Sequence, residues 1–167
     1  MKLTTFSDYT LRVLMFLALN RDRLATIPEI AAAYEISENH LMKVVHQLGR
    51  AGVIESVRGK GGGIRLAREP ETIRLGQIIR VSEGNAPIVE CLSDDSGACR
   101  IASACRLAGI LVRAFDALYA VLDDFTLADL VHSPHDLKSL LMPDQSVSST
   151  SIMRLARNTS VKSELLG

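Results

Sequence analysis

Residues 26–66 read TIPEIAAAYEISENHLMKVVHQLGRAGVIESVRGKGGGIRL, and this stretch decides the fold. Its beginning, Thr26-Ile-Pro-Glu29, is a capping box with a proline in the first helical turn, where the missing N–H is not needed. It predicts a short helix to about Tyr34. After a tight turn, Ser37 caps a second helix at residues 38–50. Two short helices joined by a brief turn are the helix-turn-helix pattern.

A β-hairpin is predicted directly after the second helix, which ends at the C-cap signal of residues 51–52. Residues 53–57 and 64–66 favour strands, and the glycine-rich residues 58–63 favour a turn between them. A hairpin in this position is the wing of a winged helix-turn-helix. The sequence therefore predicts a mainly α fold with a winged helix-turn-helix DNA-binding domain at residues 1–84.

The start of the second helix and the hairpin turn carry the side chains expected to contact DNA. The helix enters the major groove with its N-terminal end toward the bases, where Asn can read adenine, Glu can accept from cytosine and Lys meets phosphate. In the turn, an arginine suits a narrow minor groove. The alternatives are a solvated helix face and a nucleotide-binding loop, but no Lys-Ser/Thr pair follows the glycines. The predicted DNA-contacting residues are Ser37, Glu38, Asn39, His40, Lys43, Arg58 and Lys60.

Charge is distributed unevenly along the 167 residues, although 19 Lys+Arg balance 19 Asp+Glu. Residues 1–80 carry 12 basic and 8 acidic side chains, a net of +4, and residues 81–142 carry 4 and 9, a net of −5. The basic half holds the predicted DNA-binding pattern. No apolar run approaches the roughly 20 residues of a membrane helix. The odd number of cysteines and the lack of a signal-peptide layout predict a cytoplasmic protein.

A first helix is predicted at residues 8–20, where apolar side chains recur at helical spacing. Thr5 or Ser7 is expected to cap it. Asp8 then lies at the positive end of the helix dipole, where a carboxylate is favourable.

Helices are also predicted after the wing, at residues 75–83 with Thr72 as the cap, at 102–124, and at 126–132. The 102–124 helix carries a stripe close to a heptad repeat, and a second copy of the chain is its natural cover. We therefore expect a homodimer with dimerisation helices at 102–142, followed by a polar, disordered tail at 143–167. The stripe consists of Leu107, Leu111, Ala114, Leu118, Val121 and Phe125.

Three cysteines, Cys91, Cys99 and Cys105, fall in the predicted loop at residues 85–106 and are the only ones in the chain. Their intervals lack the two-residue spacing of zinc knuckles and dithiol motifs, whereas an iron–sulfur cluster tolerates wider spacing. Three thiolates leave one iron without a protein thiolate, and Asp94 and Asp95 are acidic candidates in the loop. Unpaired buried thiols and a cluster-free thiol redox sensor are the alternatives.

These features together resemble a known family over residues 1–142. Helix-turn-helix, the wing VRGKGGGIRL, three cysteines and a long dimer helix resemble the iron–sulfur winged-helix regulators that include NsrR, IscR and RirA. The segments LTTFSDYTLR at 3–12 and DDFTLADLV at 123–131 look most like the NsrR type, the nitric-oxide-sensing bacterial repressors. The interval from Cys91 to Cys99 departs from that type and is more like the iron-responsive RirA type.

The resemblance implies a homodimer with one cluster in each subunit, 4Fe–4S rather than 2Fe–2S. Cys91, Cys99 and Cys105 match its thiolate positions, and Asp8 matches a fourth ligand that comes from the partner subunit. The histidine that IscR-like members use is absent after Cys105. The function implied is a repressor, not an enzyme, that leaves a palindromic operator when its cluster reacts with nitric oxide. An iron- or cluster-status regulator of the same fold is the alternative.

Overall fold

The computed structural model describes residues 3–84, 101 and 104–141. The fold is mainly α with one small sheet, as predicted. Its elements in chain order are α1 (Thr5–Leu19), α2 (Ile27–Tyr34), α3 (Glu38–Arg50), β1 (Ile54–Val57), β2 (Gly63–Leu66), a 3-10 turn (Pro70–Thr72), α4 (Leu75–Glu83), α5 (Leu107–Asp123), α6 (Leu127–Leu130) and α7 (Pro134–Leu141).

Helix α1 is the centre of the core, and α3, α4, α6 and β2 all contact it. Its apolar face, which includes Val13, Leu14 and Phe16, is almost completely buried. Burying each such side chain contributes roughly 1.5–3 kcal/mol. The predicted start and caps of this helix were wrong. The helix begins at Thr5, and Thr4 caps it by accepting a 3.2 Å hydrogen bond from the amide of Ser7.

The helix-turn-helix has the predicted bounds, and its capping box is confirmed. The Thr26 amide donates to Glu29 at 2.7 Å, and the Glu29 amide donates back to the Thr26 hydroxyl at 3.4 Å. Glu35 turns the chain in a left-handed conformation with φ 54° before α3. Ser37 holds the N-cap position of α3, but in the described part of the chain its side chain makes no capping hydrogen bond.

The wing is an antiparallel hairpin in which Ile54 pairs with Leu66 and Val57 with Gly63. Its turn requires glycine at three positions, one of which is Gly61 with φ 79°. Gly59 has φ 104°, which L side chains rarely adopt, and a Cβ on Gly62 would overlap the carbonyl oxygen of Val57. Strand β2 is also bridged to Ala25, which joins the wing to the body of the domain.

Helix α4 buries Leu75, Ile78 and Ile79 and ends at Glu83, with Gly84 as its C-cap. Its predicted cap was wrong. Thr72 ends the preceding 3-10 turn, where its hydroxyl donates to the Glu69 carbonyl, and Arg74 occupies the N-cap position of α4.

Helix α5 begins at Leu107, so the predicted start near residue 102 was too early; residues 104–106 precede the helix. The helix lies close against α4. A Cβ on Gly76 would overlap the Asp123 carboxylate and lie 2.8 Å from the Tyr119 carbonyl. Arg80 pairs with Asp123 at 2.6 Å and lies 4.6 Å from the ring centroid of Tyr119.

The predicted apolar stripe of α5 divides between two faces. Leu111 and Leu118 are half-buried, on the same side as Tyr119, whereas Leu107 and Val121 are each 57 % exposed. Ile110, which the prediction left out, is 59 % exposed. The open face has heptad spacing and consists of Leu107, Ile110, Ala114, Ala117 and Val121, with Phe125 just beyond the helix.

The chain divides into two units after Pro134. Before that point, Thr126 and Asp129 form the predicted capping box of α6. Helix α7 was not predicted, because Pro134 was taken as a helix terminator; the proline is instead the first residue of α7, where its fixed φ suits a helix. No helix among the described residues is long and apolar enough to span a membrane. The predicted tail at 143–167 lies outside the described residues.

Candidate nucleic-acid interface and cluster site

Helix α3 buries one face and exposes the other, which is the arrangement a base-reading helix needs. Leu41, Val44, Val45 and Leu48 anchor it in the core. The exposed face includes the predicted Asn39 and Lys43 and also Met42, His46 and Arg50. These residues line an open groove of about 920 Å³ whose other wall includes Phe6 and Val81. The sequence analysis did not pick out Met42, His46 and Arg50, although their helical spacing from Asn39 places them on the same face.

The ring of His40, another predicted DNA contact, lies beside the ring of Tyr9 with the centroids 6.0 Å apart. Tyr9 belongs to the second turn of α1, directly after Asp8. The start of α3 is therefore in contact with the part of α1 that carries the predicted fourth cluster ligand.

The wing separates its cations into two groups. Arg58 and Lys60 are exposed in the turn, and neither makes an ion pair with any described residue. Arg65 pairs with Glu55 across the hairpin, and Arg68 donates to the Gly52 carbonyl at 3.2 Å, just beyond the end of α3. The two cations at the tip thus remain available to phosphate or a minor groove, while those at the base hold the wing together.

Asp8 lies on the first turns of α1, and its carboxylate pairs with Arg12 at 2.9 Å. The side chains are 48 % and 40 % exposed, and exposed pairs of this kind contribute only about 0–1 kcal/mol. The carboxylate is therefore open to a ligand outside its own chain. The Arg12 guanidinium is also 5.7 Å from the ring of Tyr34, the last residue of α2.

Cys105 is half-buried and lies two residues before the first residue of α5. Cys91, Cys99, Asp94 and Asp95 lie outside the described residues. Within residues 3–84, 101 and 104–141, no three His, Cys, Asp or Glu side chains form a metal-binding group. An accessible carboxylate and a thiol at a helix N-terminus fit the chemistry of an iron–sulfur cluster.

Glu83, at the end of α4, joins that helix to the start of α1. Its carboxylate accepts from the Thr4 amide at 2.8 Å, from the Thr4 hydroxyl at 3.0 Å and from the Ser7 hydroxyl. Ser7 is fully buried and also contacts the hydroxyl of Ser82 at 2.7 Å. Burial raises the pKa of Glu83, but the hydrogen bonds from Ser7 and Thr4 outweigh it, so the pKa lies below its ordinary value. No pattern in the sequence indicated this connection.

The family model described as "Rrf2: Iron-dependent Transcriptional regulator" matches residues 3–133. The chain belongs to the Rrf2 family. It is therefore a transcriptional regulator, and the resemblance read from the sequence is confirmed. The winged helix of this Rrf2 regulator is accordingly that of a DNA-binding protein.

Relatives of this Rrf2 regulator include proteins named HTH-type transcriptional regulator NsrR. The protein from Bacillus subtilis is 48 % identical over 142 residues, which cover 84 % of this chain and 97 % of the relative. The protein from Shouchella clausii is 44 % identical over the same share of this chain and 95 % of its own length.

Solved structures of this family share the fold. CymR, the global cysteine regulator of B. subtilis, is 34 % identical with a TM-score of 0.62 over 79 % of this chain and 97 % of its own. IscR from T. potens is 30 % identical with a TM-score of 0.61 over 79 % of this chain and 87 % of its own.

Proposed function

We propose that this Rrf2 regulator is a cytoplasmic repressor that binds a palindromic operator as a homodimer, under the control of a 4Fe–4S cluster that reacts with nitric oxide. One observation carries the proposal. The Asp8 carboxylate is accessible, is held only by an exposed ion pair, and lies next to the residue that contacts the start of α3. The relatives named NsrR support the choice of signal.

The homodimer rests on the open face of α5. Large apolar side chains at heptad spacing, among them Leu107, Ile110 and Val121, are more than half exposed in the single chain. Covering such a face with a second copy of α5 removes apolar surface from water at roughly 25 cal/mol for each Å². A two-fold axis along this face would relate two recognition helices, one in each subunit. A pair of such helices suits an operator whose half-sites lie about 34 Å apart.

Four side chains would hold the cluster: Cys91, Cys99 and Cys105 of one chain and Asp8 of the partner subunit. When bound, the cluster would supply an iron that is open to nitric oxide, because a carboxylate is a weaker ligand for iron than a thiolate. Cys105 would contribute its ligand from a position two residues before the first residue of α5. Asp8 contributes the one ligand that joins the two chains.

Asp8 cannot both ligate a cluster and keep its full pairing with Arg12. Its release would restore the 2.9 Å pair and draw in the Arg12 guanidinium, which contacts Tyr34 at the end of α2. Tyr9, the next residue along α1, contacts His40 on α3. The α1 turn thus has contacts to both helices of the DNA-binding motif, which lets ligand exchange at Asp8 change the position of α3.

An anaerobic titration tests the proposal. The cluster-loaded dimer first selects its operator from random duplexes, and nitric oxide is then added while absorbance and operator binding are followed together. We expect binding to fall at least about tenfold as the cluster absorbance is lost. Operator affinity that stays unchanged after complete reaction contradicts the proposal.

Iron or cluster status is the second candidate signal, and the long interval between Cys91 and Cys99 and the family's description as iron-dependent favour it. Loss of operator binding on iron chelation with little response to nitric oxide selects this candidate. A colourless, iron-free protein after anaerobic purification selects the cluster-free thiol sensor instead.

A further inference from the structure

Gln47 makes a direct connection between the recognition helix and the end of α4. Its side-chain amide donates a 2.6 Å hydrogen bond to the backbone carbonyl of Val81. Val81 lies in the last turn of α4, where carbonyls lack a partner in a following helical turn. The side-chain amide of Gln47 supplies a donor to one of these carbonyls. Helices α3 and α4 both pack against α1, so they are joined indirectly through it. The hydrogen bond from Gln47 to Val81 adds a direct link between them.

The last turn of α4 is also where the chain leaves for the cysteine segment. Gly84 ends the helix with φ 69° and ψ −161°, a backbone region that is almost restricted to glycine. Cys91 follows Glu83 by only eight residues. The backbone that immediately precedes the cysteine segment is therefore held in one conformation at this turn.

This last turn is held on two sides. On one side, Glu83 and Ser82 contact the start of α1. On the other side, the Val81 carbonyl is bound to Gln47. A change that rotates or frays the turn must alter one or both of these contacts, and the Gln47 contact leads directly to the helix that carries Asn39 and Lys43.

We propose that Gln47 is a positioning residue that transmits the state of the cysteine segment to the recognition helix of the same chain. This route differs from the one through Asp8, which joins the two subunits. The inference rests on the proposed function, because that function gives the cysteine segment two states. Since one exposed hydrogen bond carries the route, its removal is expected to change the coupling by about three- to tenfold.

A double-mutant cycle tests the connection without any cluster. Gly84→Ala strains the end of α4, and Gln47→Leu removes the donor while keeping much of the side-chain volume. In cluster-free protein, amide hydrogen exchange is measured in peptides from α3. We expect Gly84→Ala to raise exchange in α3 about threefold, and to have little effect once Gln47→Leu is present. If the alanine variant folds poorly, Glu83→Ala replaces it, because it loosens the same turn by removing its hydrogen bonds to Thr4.

A second experiment measures the cluster response, defined as the operator Kd of cluster-free protein divided by the Kd of cluster-loaded protein. Gln47→Leu is expected to reduce this ratio about three- to tenfold with normal cluster content. The matched control is Gln77→Leu, the same substitution at an exposed position of α4, and it should leave the ratio unchanged.

The outcomes separate the two proposals. Additive effects of Gly84→Ala and Gln47→Leu on α3 exchange would overturn the inference. It is also overturned if Gln47→Leu weakens binding equally with and without the cluster, which is the behaviour of a simple DNA contact. A wild-type protein with no cluster response refutes the proposed function alone, and the exchange cycle then decides the role of Gln47.

Discussion

Asp8 and Arg12 form an ion pair one turn apart on α1, with 2.9 Å between the carboxylate and the guanidinium. The pair is exposed, so it contributes little to stability, yet it occupies the carboxylate proposed to ligate the partner's cluster. Under the proposed function, ligation of the partner's cluster would compete with Arg12 for the Asp8 carboxylate. Such competition would let a change at the cluster alter the contacts of α1.

Replacing Asp8 tests whether this competition matters. Asp8→Ala should lower the free energy of unfolding by no more than about 1.5 kcal/mol, because it removes an exposed i,i+4 pair and a carboxylate at the positive end of the α1 dipole. It should also abolish most of the difference in operator affinity between cluster-loaded and cluster-free protein. Anaerobic binding titrations measure that difference. Asp22→Ala, at an exposed position beyond α1, is the control, and an equal loss in both variants argues against Asp8 as a ligand.

A charge on the open face of α5 should separate the proposed dimer. Ile110 is 59 % exposed in the single chain, and burying an unpaired glutamate there would be costly. Ile110→Glu is expected to weaken dimerisation at least about tenfold, as measured by sedimentation equilibrium. Val112→Glu introduces the same charge at an exposed position off the open face. A dimer that survives Ile110→Glu but not Val112→Glu would place the interface elsewhere.

The close approach of α4 and α5 depends on Gly76. A Cβ at this position overlaps the Asp123 carboxylate and crowds the Tyr119 carbonyl, so Gly76→Ala should destabilise the fold by roughly 1–3 kcal/mol. Gly109, inside α5, has open space around its Cβ position. Gly109→Ala is thus expected to be neutral or to stabilise the chain by up to about 1 kcal/mol. Urea unfolding at one fixed protein concentration compares the two; equal effects would refute the close contact.

Acid should weaken the connection between α1 and α4. The pKa of Glu83 is below its ordinary 4.5 in the folded chain, because hydrogen bonds from Ser7 and Thr4 outweigh the effect of burial. A depressed pKa contributes stability that is fully present above pH 4.5 and is lost as the pH falls through the folded value. Wild-type protein should lose more stability than Glu83→Gln between pH 5 and the acid range of roughly pH 3.

Thermal unfolding at closely spaced pH values measures this difference. Glu71→Gln removes a carboxyl from the surface of the 3-10 turn and serves as the control for net charge. A steeper acid loss in Glu83→Gln than in wild type would contradict the sign of the pKa shift.

The exposed face of α3 makes a separate prediction about DNA. Asn39→Ala should cost roughly 1–3 kcal/mol of discrimination at one base position, whereas Lys43→Ala should weaken all sequences similarly and reduce the salt slope by about one. Operator variants titrated at several salt concentrations distinguish the two effects. Lys138→Ala on α7 is the control. A uniform loss for Asn39→Ala would reassign that residue from base reading to phosphate contact.

Local chemistry made much of this fold predictable. Several features depend on residues only a few positions apart. They are the Thr26–Glu29 and Thr126–Asp129 capping boxes, the turn before α3 and the glycine-rich turn of the wing. Such short-range preferences are expressed in the sequence itself. The errors concern the start and cap of α1, the cap of α4 and the start of α5. They arose where several nearby residues could begin or cap the helix.

Only the tertiary structure decided which surfaces meet. Periodicity identified an apolar stripe on α5 but could not tell which part α4 covers, because both faces carry apolar residues at helical spacing. The contacts of Glu83 with Ser7 and of Gln47 with Val81 join residues 76 and 34 positions apart. The sequence by itself thus determined the winged helix and the candidate ligands. Helix packing around α1 decided how the end of α4 contacts both α1 and the recognition helix, because those contacts depend on distance in space rather than along the chain.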